Sequence, residues 1–563
     1  MTVSPASSGP IIGIDLGTTN SLIAVWRNEK AELIPNVLGE VLTPSVVSVD
    51  EDGQVLVGRA AKSRLTTHPA QTTAAFKRFM GTEKVIRLGS QSFSAPELSA
   101  LVLKSLRADA ESYLGEPISD AVISVPAYFN DEQRKHTRFA AELAGLNVTR
   151  LINEPTAAAM AYGLHEQAME RSLIFDLGGG TFDVTVLEYD LPLIEVHAST
   201  GDNMLGGEDF TAVLMVACLK DWELERDDLS PKEQARLWDR LEQMKHKLSS
   251  GTQTLDWTVR DQEQHWVLDD ARAEKIWQPL LKRLRQPIEQ AMRDSRLQPR
   301  DLDSVVMVGG ATRLNCVQQL VSTLFGKLPY RHLDPDTVVA LGAAAQAACS
   351  KRDASIEELI LTDVCPYTLG IASQHGEKHP DMFSPIIDRN TIIPTSRVER
   401  FWTTHPEQQQ VEIKIYQGER PRASDNILID TLEIPVSPLK DSNQWLDIRF
   451  SYDINGLLEV DVEMETGAKH SKIVDRSPAG LDEEARQQSH DRLQGLKIHP
   501  RDSLPNRTLL ARIERAYSQT LGDERSQIQS WLAAFEEVLG KQNKDDILRL
   551  RNQLNDALDQ AQL

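Results

Sequence analysis

Two short stretches of this chain hold the residues best suited to chemistry. Ile12-Gly-Ile-Asp-Leu-Gly-Thr-Thr-Asn-Ser-Leu-Ile-Ala-Val25 and Leu173-Ile-Phe-Asp-Leu-Gly-Gly-Gly-Thr-Phe-Asp-Val-Thr-Val186 are variations on one pattern. Each ends an apolar strand on an aspartate, Asp15 or Asp176, then makes a glycine-rich turn and enters a second apolar strand. Glycine has no Cβ and tolerates positive φ, so such a turn can bring backbone N–H groups against phosphate oxygens. The aspartate beside it can hold a hydrated Mg²⁺. One glycine hairpin alone is ordinarily just a tight turn. Two with matched aspartates, joined by a third glycine-rich strand end at Val306-Met-Val-Gly-Gly-Ala-Thr-Arg313, point to a nucleotide gripped between two homologous lobes. No GxxxxGK[ST] motif occurs, which excludes a P-loop as the cradle.

The elements that must carry these turns follow from periodicity. Residues 11 to about 355 alternate strands and helices in the α/β manner, with strand cores at Val46–Val49, Ala121–Val125, Leu173–Phe175 and Val305–Val308. Leu98, Leu101, Val102 and Leu106 mark one helix, and the run Lys232 to Leu248 predicts another. From residue 356 the character changes. The stretch 357–364 is apolar with acidic flanks, and too short for a helix of its own. Residues 366–475 alternate apolar and polar positions, as in Val411–Tyr416 and Leu457–Val462, with turns such as Asp453-Ile-Asn-Gly456, the pattern of a β-sandwich. Past Pro478-Ala-Gly480, apolar residues recur at helical spacing, including Ile528, Trp531, Leu532, Phe535, Leu550, Leu554 and Leu558, which predicts a small helical bundle. The expected divisions are 1–355, a linker at 356–365, 366–478 and 479–563.

Bulk properties narrow the class. At 563 residues the chain exceeds one core, and roughly three to four domains are expected. A formal charge of −22 argues against nucleic-acid binding, which draws its affinity from Lys and Arg neutralising phosphates. Cys218, Cys316, Cys349 and Cys365 form no CxxC pair, as expected of bystander thiols in a reducing compartment. The first ten residues lack a basic and an apolar region, so no signal peptide is expected. No apolar run approaches the ~20 residues needed to span a bilayer. A cytoplasmic location follows as the expectation.

The chain resembles the DnaK-type heat-shock chaperone family over nearly its whole length. The residues that carry the likeness are Ile14-Asp-Leu-Gly-Thr-Thr-Asn-Ser21, Val125-Pro-Ala-Tyr-Phe-Asn130, Ile152-Asn-Glu-Pro-Thr-Ala-Ala-Ala159, Phe175-Asp-Leu-Gly-Gly-Gly-Thr-Phe-Asp183, Leu205-Gly-Gly-Glu-Asp-Phe210 and Val308-Gly-Gly-Ala-Thr-Arg313. The resemblance implies a multidomain protein: an actin-like α/β two-lobed ATPase, a hydrophobic linker, a peptide-binding β-sandwich and a small α-helical lid. It implies an ATP-dependent chaperone that binds and releases extended apolar segments of client proteins. ATP and ADP, Mg²⁺ and K⁺ would be its cofactors and a J-domain co-chaperone its partner, the need for a nucleotide exchange factor staying open. Neither nucleic acid nor membrane is expected as a partner, and a monomer is.

Carried over by position, the resemblance assigns roles. Gly17, Thr18, Thr19, Gly178, Gly179 and Gly180 would cradle the phosphates. Asp15 and Asp183 would hold Mg²⁺ and monovalent cations through water. Lys77 would reach the γ-phosphate and the attacking water, and Glu154, Asp176 and Thr181 would orient that water. By itself Lys77 reads as a solvated surface lysine, and Glu154, followed by Pro155, as a first-turn helix carboxylate. Gly206, Gly207, Glu208, Glu242, Lys245, Ser249, Gly309, Gly310, Arg313 and Asp336 would line the adenosine side. On their predicted helix, Glu242, Lys245 and Ser249 share one face. Pro126 and Arg134 would relay between the halves, together with Leu359, Ile360, Leu361 and Asp363. Arg150 would meet the J-domain. Ile371, Phe401, Val411 and Ile413 would line the peptide groove, although periodicity alone reads all four as ordinary core.

Departures from the family pattern accompany these roles. His246 replaces a common arginine, Ala311 a common serine, and Thr362 makes the linker more polar. Gln374 and Thr404 are polar where apolar residues are usual. The segment from Met80 to Pro96 and the lid are both short, which places the chain nearest the specialised, truncated-lid HscC-like bacterial branch. Two rival classes are a small-molecule kinase on the same scaffold and a regulatory binding protein with vestigial hydrolysis. A kinase has no use for a sandwich and lid, and intact Lys77, Glu154, Asp176 and Thr181 argue against lost catalysis.

Overall fold

A computed structural model of the chain describes residues 9–163, 170–190, 193–259, 262–329, 333–351, 360–374, 381–436, 442–452, 458–474, 504–520, 522–540 and 544–561. The two look-alike stretches become two look-alike sheets. In the first lobe, β1 (Ile11–Asp15) and β2 (Asn20–Arg27) form the hairpin, β3 (Lys30–Leu33) extends it, and β4 (Asp120–Val125) and β5 (Asn147–Asn153) continue the sheet beyond β1. In the second lobe, β6 (Glu170–Leu177) and β7 (Phe182–Asp190) form the matching hairpin, extended by β8 (Leu193–Asp202), with β9 (Ser304–Val308) on the far side of β6. Both hairpins are antiparallel, and in both the first strand runs parallel to its other neighbour, β4 or β9. Buried on both faces, these strands are near-continuous apolar runs.

Helices cover the sheets and join the lobes. The first lobe carries α1 (Arg59–Arg64), α2 (Ala95–Leu114) and α3 (Asp131–Leu143). Ser94 and Glu97 close a capping box on α2, and Gly115, at φ 75°, ends it. The shortened segment before α2 is a hairpin of Val85–Leu88 and Gln91–Ser94. Next comes α4 (Glu154–Gly163), then α5 (Gly207–Asp221), α6 (Pro231–Lys247), α7 (Asp270–Asp294) and α8 (Asn315–Phe325) of the second lobe, and α9 (Val338–Lys351), which returns to pack on β1 and β2. A Cβ at Gly342 of α9 would stand 1.7 Å from the Ala157 carbonyl oxygen of α4, so these helices cross in backbone contact.

The apolar stretch after α9 is a strand. β10 (Ile360–Val364) runs parallel to β8 and adds itself to the edge of the second lobe's sheet, with Ile392–Ile393 pairing on its other side. Leu359 lies outside the described residues, as do the side chains of Ile360 and Leu361. Two four-stranded antiparallel sheets follow: Met382–Ile387, Leu369–Ser373, Gln410–Gln417 and Ile427–Pro435 in one, and Thr395–Trp402, Trp445–Tyr452, Leu458–Met464 and Lys469–Val474 in the other. Their inner faces share a core containing Ile413, Ile415, Phe450, Val460 and Val462. The predicted turn at 453–456 and residues 475–503 lie outside the described residues. Three helices end the chain, α10 (Leu504–Gln519), α11 (Gly522–Gly540) and α12 (Lys544–Gln560), around Ile513, Ile528, Phe535, Leu554 and Leu558. No described helix is long and apolar enough to cross a membrane.

Candidate nucleotide cleft and coupling path

Where the two lobes face each other, a cavity of about 410 Å³ opens, in the size range of small-molecule sites. The two glycine turns meet across it. A Cβ at Gly179 would stand 1.9 Å from Thr19 Oγ1, and one at Gly180 2.7 Å from Thr18 Cγ2. Each turn is braced. Ser45 donates its hydroxyl to the Gly17 carbonyl at 2.7 Å, and the first turn of α5 donates Gly207 N–H to Gly178 O and Glu208 N–H to Gly179 O, both at 2.9 Å. Gly206, before α5, must be glycine, since a Cβ there would lie 2.4 Å from the Gly180 nitrogen.

Carboxylates cluster beside the turns. Asp15 ends β1 and accepts from Ser124 Oγ at 2.9 Å. Asp176 and Asp183 are cross-strand partners on β6 and β7. Asp183 accepts the Tyr128 N–H at 3.1 Å. Burial, then the charge of Glu154, pushes Asp15 and Asp183 each up to about 7 and carries Asp176 well above the usual carboxylate range. Carboxylates arranged to repel one another are suited to a hard cation. Among the described residues no three such side chains converge closely enough to ligate an ion directly.

A buried cation stands among these acids. Lys77, in the turn Phe76–Phe79 of the first lobe, is 3% exposed and donates to Glu154 Oε1 at 2.7 Å. The surface reading of Lys77 fails, since this lysine is buried; Glu154 does open α4 as a first-turn carboxylate, and it also takes the Lys77 ammonium. Next to it, Arg78 reaches across the cleft to both oxygens of Asp209 on α5, at 3.1 and 2.8 Å. Thr181 closes the second turn, its carbonyl accepting the Gly178 N–H at 3.1 Å. Lys77, Glu154, Asp15, Asp176 and Thr181 all line the cavity; Asp183, Gly180 and Gly206 stand behind its wall.

The far end of the cavity is built by α6 and the strand end after β9. Lys245 donates to Glu242 Oε2 at 2.7 Å, to the Gly207 carbonyl at 2.8 Å and to Thr211 Oγ1 at 2.9 Å, and Thr211 also donates to Glu242. Burial would raise the Glu242 carboxyl, but the hydrogen bond from His246 and the charge of Lys245 hold it down at about 2. Glu208 has less help, and burial with the Glu242 charge raises it to about 7. Gly309, at φ 82°, brings the turn against the Leu177 carbonyl, and Arg313 donates to Asp334 at 2.8 Å and Asp336 at 2.7 Å. Ser249, Gly310, His246 and Ala311 complete this end.

The expected coupling residues form a chain with a link that motif reading missed. Arg134 donates to the Ala127 and Phe129 carbonyls, each at 3.1 Å, rather than to that of Pro126, whose carbonyl accepts from Phe129 N–H. The same guanidinium donates to Asn153 Oδ1 at 2.7 Å, and Asn153 donates to Asp363 of β10 at 2.6 Å. Asn153 was visible only as a neighbour of Glu154. Arg150 bonds Gln346 of α9 at 3.0 Å. In the sandwich, Ile371 and Ile413 are buried in the core, and Phe401 and Val411 pack on its rim. The placement matches what periodicity alone suggests. Trp402, 61% exposed beside Phe401, has no counterpart among the sequence candidates. Of the cysteines, Cys218, Cys316 and Cys365 are buried, Cys349 is half-buried, and all are free thiols.

Comparison with known proteins follows the same lines. A family model described as Hsp70 protein matches residues 11–87 and 84–562. The protein named Chaperone protein DnaK of Thermotoga neapolitana is 40% identical over 481 residues, spanning 82% of this chain and 80% of that protein. Proteins of the same name from Thermotoga petrophila and Thermotoga maritima match to the same extent.

Proposed function

The chain belongs to the Hsp70 family, ATP-dependent chaperones that bind client polypeptides and hydrolyse ATP, and from that premise we propose how its own residues divide the work. Phosphoryl transfer to water needs positioning and charge neutralisation more than covalent help. In our reading, Gly17, Thr18, Thr19 and Gly178 to Gly180 present N–H and hydroxyl groups to the phosphates. Mg²⁺, when bound, neutralises developing charge; Asp15 and Asp183 orient its waters, with K⁺ at the same carboxylates. Lys77 directs its ammonium at the γ-phosphate and the attacking water, which Glu154, Asp176 and Thr181 orient. Glu208, Glu242, Lys245, Ser249, Arg313 and Asp336 hold the adenosine side.

The observation that carries this reading is the buried Lys77–Glu154 pair set among three carboxylates and between two facing glycine turns. A buried ion pair stabilises a fold poorly compared with packed apolar groups, so its presence here favours chemistry. We further propose that Arg134, Asn153 and Asp363 report the state of the cleft to β10, and that the strand bearing Phe401 and Trp402 presents apolar side chains to an extended client segment. Arg150 faces a J-domain partner. A monomer acting in the cytoplasm, with divisions near residues 355, 365 and 478 and kinship to the HscC-like branch, completes the proposal. Single-turnover ATP hydrolysis, with and without a model peptide and candidate J-domains, tests catalysis and coupling together. Hydrolysis indifferent to both additions sinks the coupled reading.

A further inference from the structure

The lid helix α10 lies over the seam at which the two lobes meet, and it touches both. Its first-lobe contact is broad. It packs along α1, Thr508 closes a small gap lined by Val57, Gly58, Arg59 and Asp109, and Glu514 lies within electrostatic reach of Arg64 and Glu51. Among the described residues, an ion pair joins it to the second lobe. Arg515 donates from Nη2 to Asp239 Oδ2 on α6 at 2.8 Å, with each side chain about three-quarters buried, at 26% and 24% exposure. Gln243 donates to the same oxygen at 2.9 Å and fixes it. Lys62 of α1 lies within electrostatic reach of the same groups: desolvation, Arg59 and Arg515 lower its ammonium while Asp239 and Glu242 raise it, so the first lobe also faces these carboxylates.

The place of Asp239 on α6 gives the contact its consequence. One turn further along the same helix is Glu242, a second turn brings Lys245 and His246, and beyond its end comes Ser249, all lining the cavity. Opening the cleft wide enough to release a nucleotide requires α6 to move away from α1. With α10 seated on α1, that motion breaks Arg515–Asp239. We propose that the docked lid is a clasp across the cleft mouth, in which Arg515 of α10 holds Asp239 of α6 and slows nucleotide release. The clasp ties nucleotide residence to lid position without any lid residue entering the cleft. It goes beyond the catalytic reading above and shares with it the assumption that the cavity takes an adenine nucleotide.

The test is the rate at which full-length chain releases N-methylanthraniloyl-ATP when chased with excess ATP. For one partly buried ion pair, Arg515→Ala and Asp239→Ala should each speed release about two- to fivefold. The reversed pair, Arg515→Asp with Asp239→Arg, should return the rate toward wild type, which separates the clasp from any effect of Asp239 on α6 itself. Faster release from Asp239→Ala but not from Arg515→Ala overturns the clasp, as does an unchanged rate in both. A wild-type chain that takes up no adenine nucleotide overturns the reading of the cleft, and the clasp with it.

Discussion

Asn153 donates from Nδ2 to Asp363 Oδ2 at 2.6 Å while its own side-chain oxygen accepts from Arg134 at 2.7 Å. One amide therefore joins the first lobe, at the residue before Glu154, to the strand leading into the sandwich. All three groups are at least partly buried, and a hydrogen bond to a charged group is worth about 1.5–3 kcal/mol when its partner is removed. Asp363→Ala takes the acceptor from Asn153 Nδ2, leaves Arg134 bonded only within the first lobe, and weakens the seating of β10 on β8. We expect ATP to lose most of its ability to accelerate release of a fluorescent peptide, roughly a tenfold or greater fall in the ATP-to-ADP ratio of release rates. An unaltered ratio would remove Asp363 from the path.

Lys77 offers the sharpest test of the cleft chemistry. Lys77→Ala removes the buried cation beside Glu154, and turnover should fall by at least about 10²-fold, the scale of losing one preorganised charge-stabilising donor. ATP binding, followed by calorimetry, should persist, because the glycine turns are braced by Ser45 and α5 rather than by Lys77. Stability should fall too, since Glu154 is left buried without its partner. Normal turnover in this variant would move the water-positioning role elsewhere.

Glu208 gives a pH dependence with a definite sign. Burial and the neighbouring Glu242 raise it from the ordinary 4.5 to about 7 in the folded protein. Between those values the folded chain keeps a proton that the unfolded chain has lost, so this carboxyl stabilises most at low pH and its contribution disappears as pH rises through about 7. Thermal melts of ligand-free protein should show Glu208→Gln gaining on wild type between pH 5 and pH 8, with the two coinciding near pH 4.5. A difference that is flat with pH would place the Glu208 proton elsewhere.

Much of this architecture was legible in the sequence because its signals are local. The paired hairpins announced themselves through repeated apolar–aspartate–glycine strings, and β1, β2, β6 and β7 fall on them. Short apolar runs flanked by turns located Val46–Val49 and β9 within a residue. The linker was harder. An apolar stretch of a few residues fits no local rule, and only pairing with β8, more than 160 residues earlier, makes it a strand. Interface residues were hidden for the same reason: Asn153, Asp239, Asp294 and Arg515 look like solvated polar side chains until a distant element meets them. Gly342 was equally silent, its need for a missing Cβ set by α4 and not by its own turn.

Arg389 shows what such a hidden contact does. It sits in the sandwich but donates through Nε and Nη2 to both oxygens of Asp294 at the end of α7, at 2.9 and 3.1 Å, and through Nη1 to Glu419 at 2.6 Å. Asn390 adds a bond to Asp294 at 2.9 Å and accepts the Ser199 N–H at 3.0 Å. The two-pronged fork makes this a directional latch between sandwich and second lobe, which lysine cannot reproduce. Side-chain exposures of 31% for Arg389 and 17% for Asp294 leave the pair partly screened, so a coupling of about 1 kcal/mol is expected from a double-mutant cycle. Arg389→Ala and Asp294→Ala should each favour the undocked arrangement and slow ATP-triggered peptide release by roughly fivefold, and the double variant should be little worse than either alone. Arg389→Lys should recover only part of the loss. Additive effects in the double variant would mean that the two residues act separately.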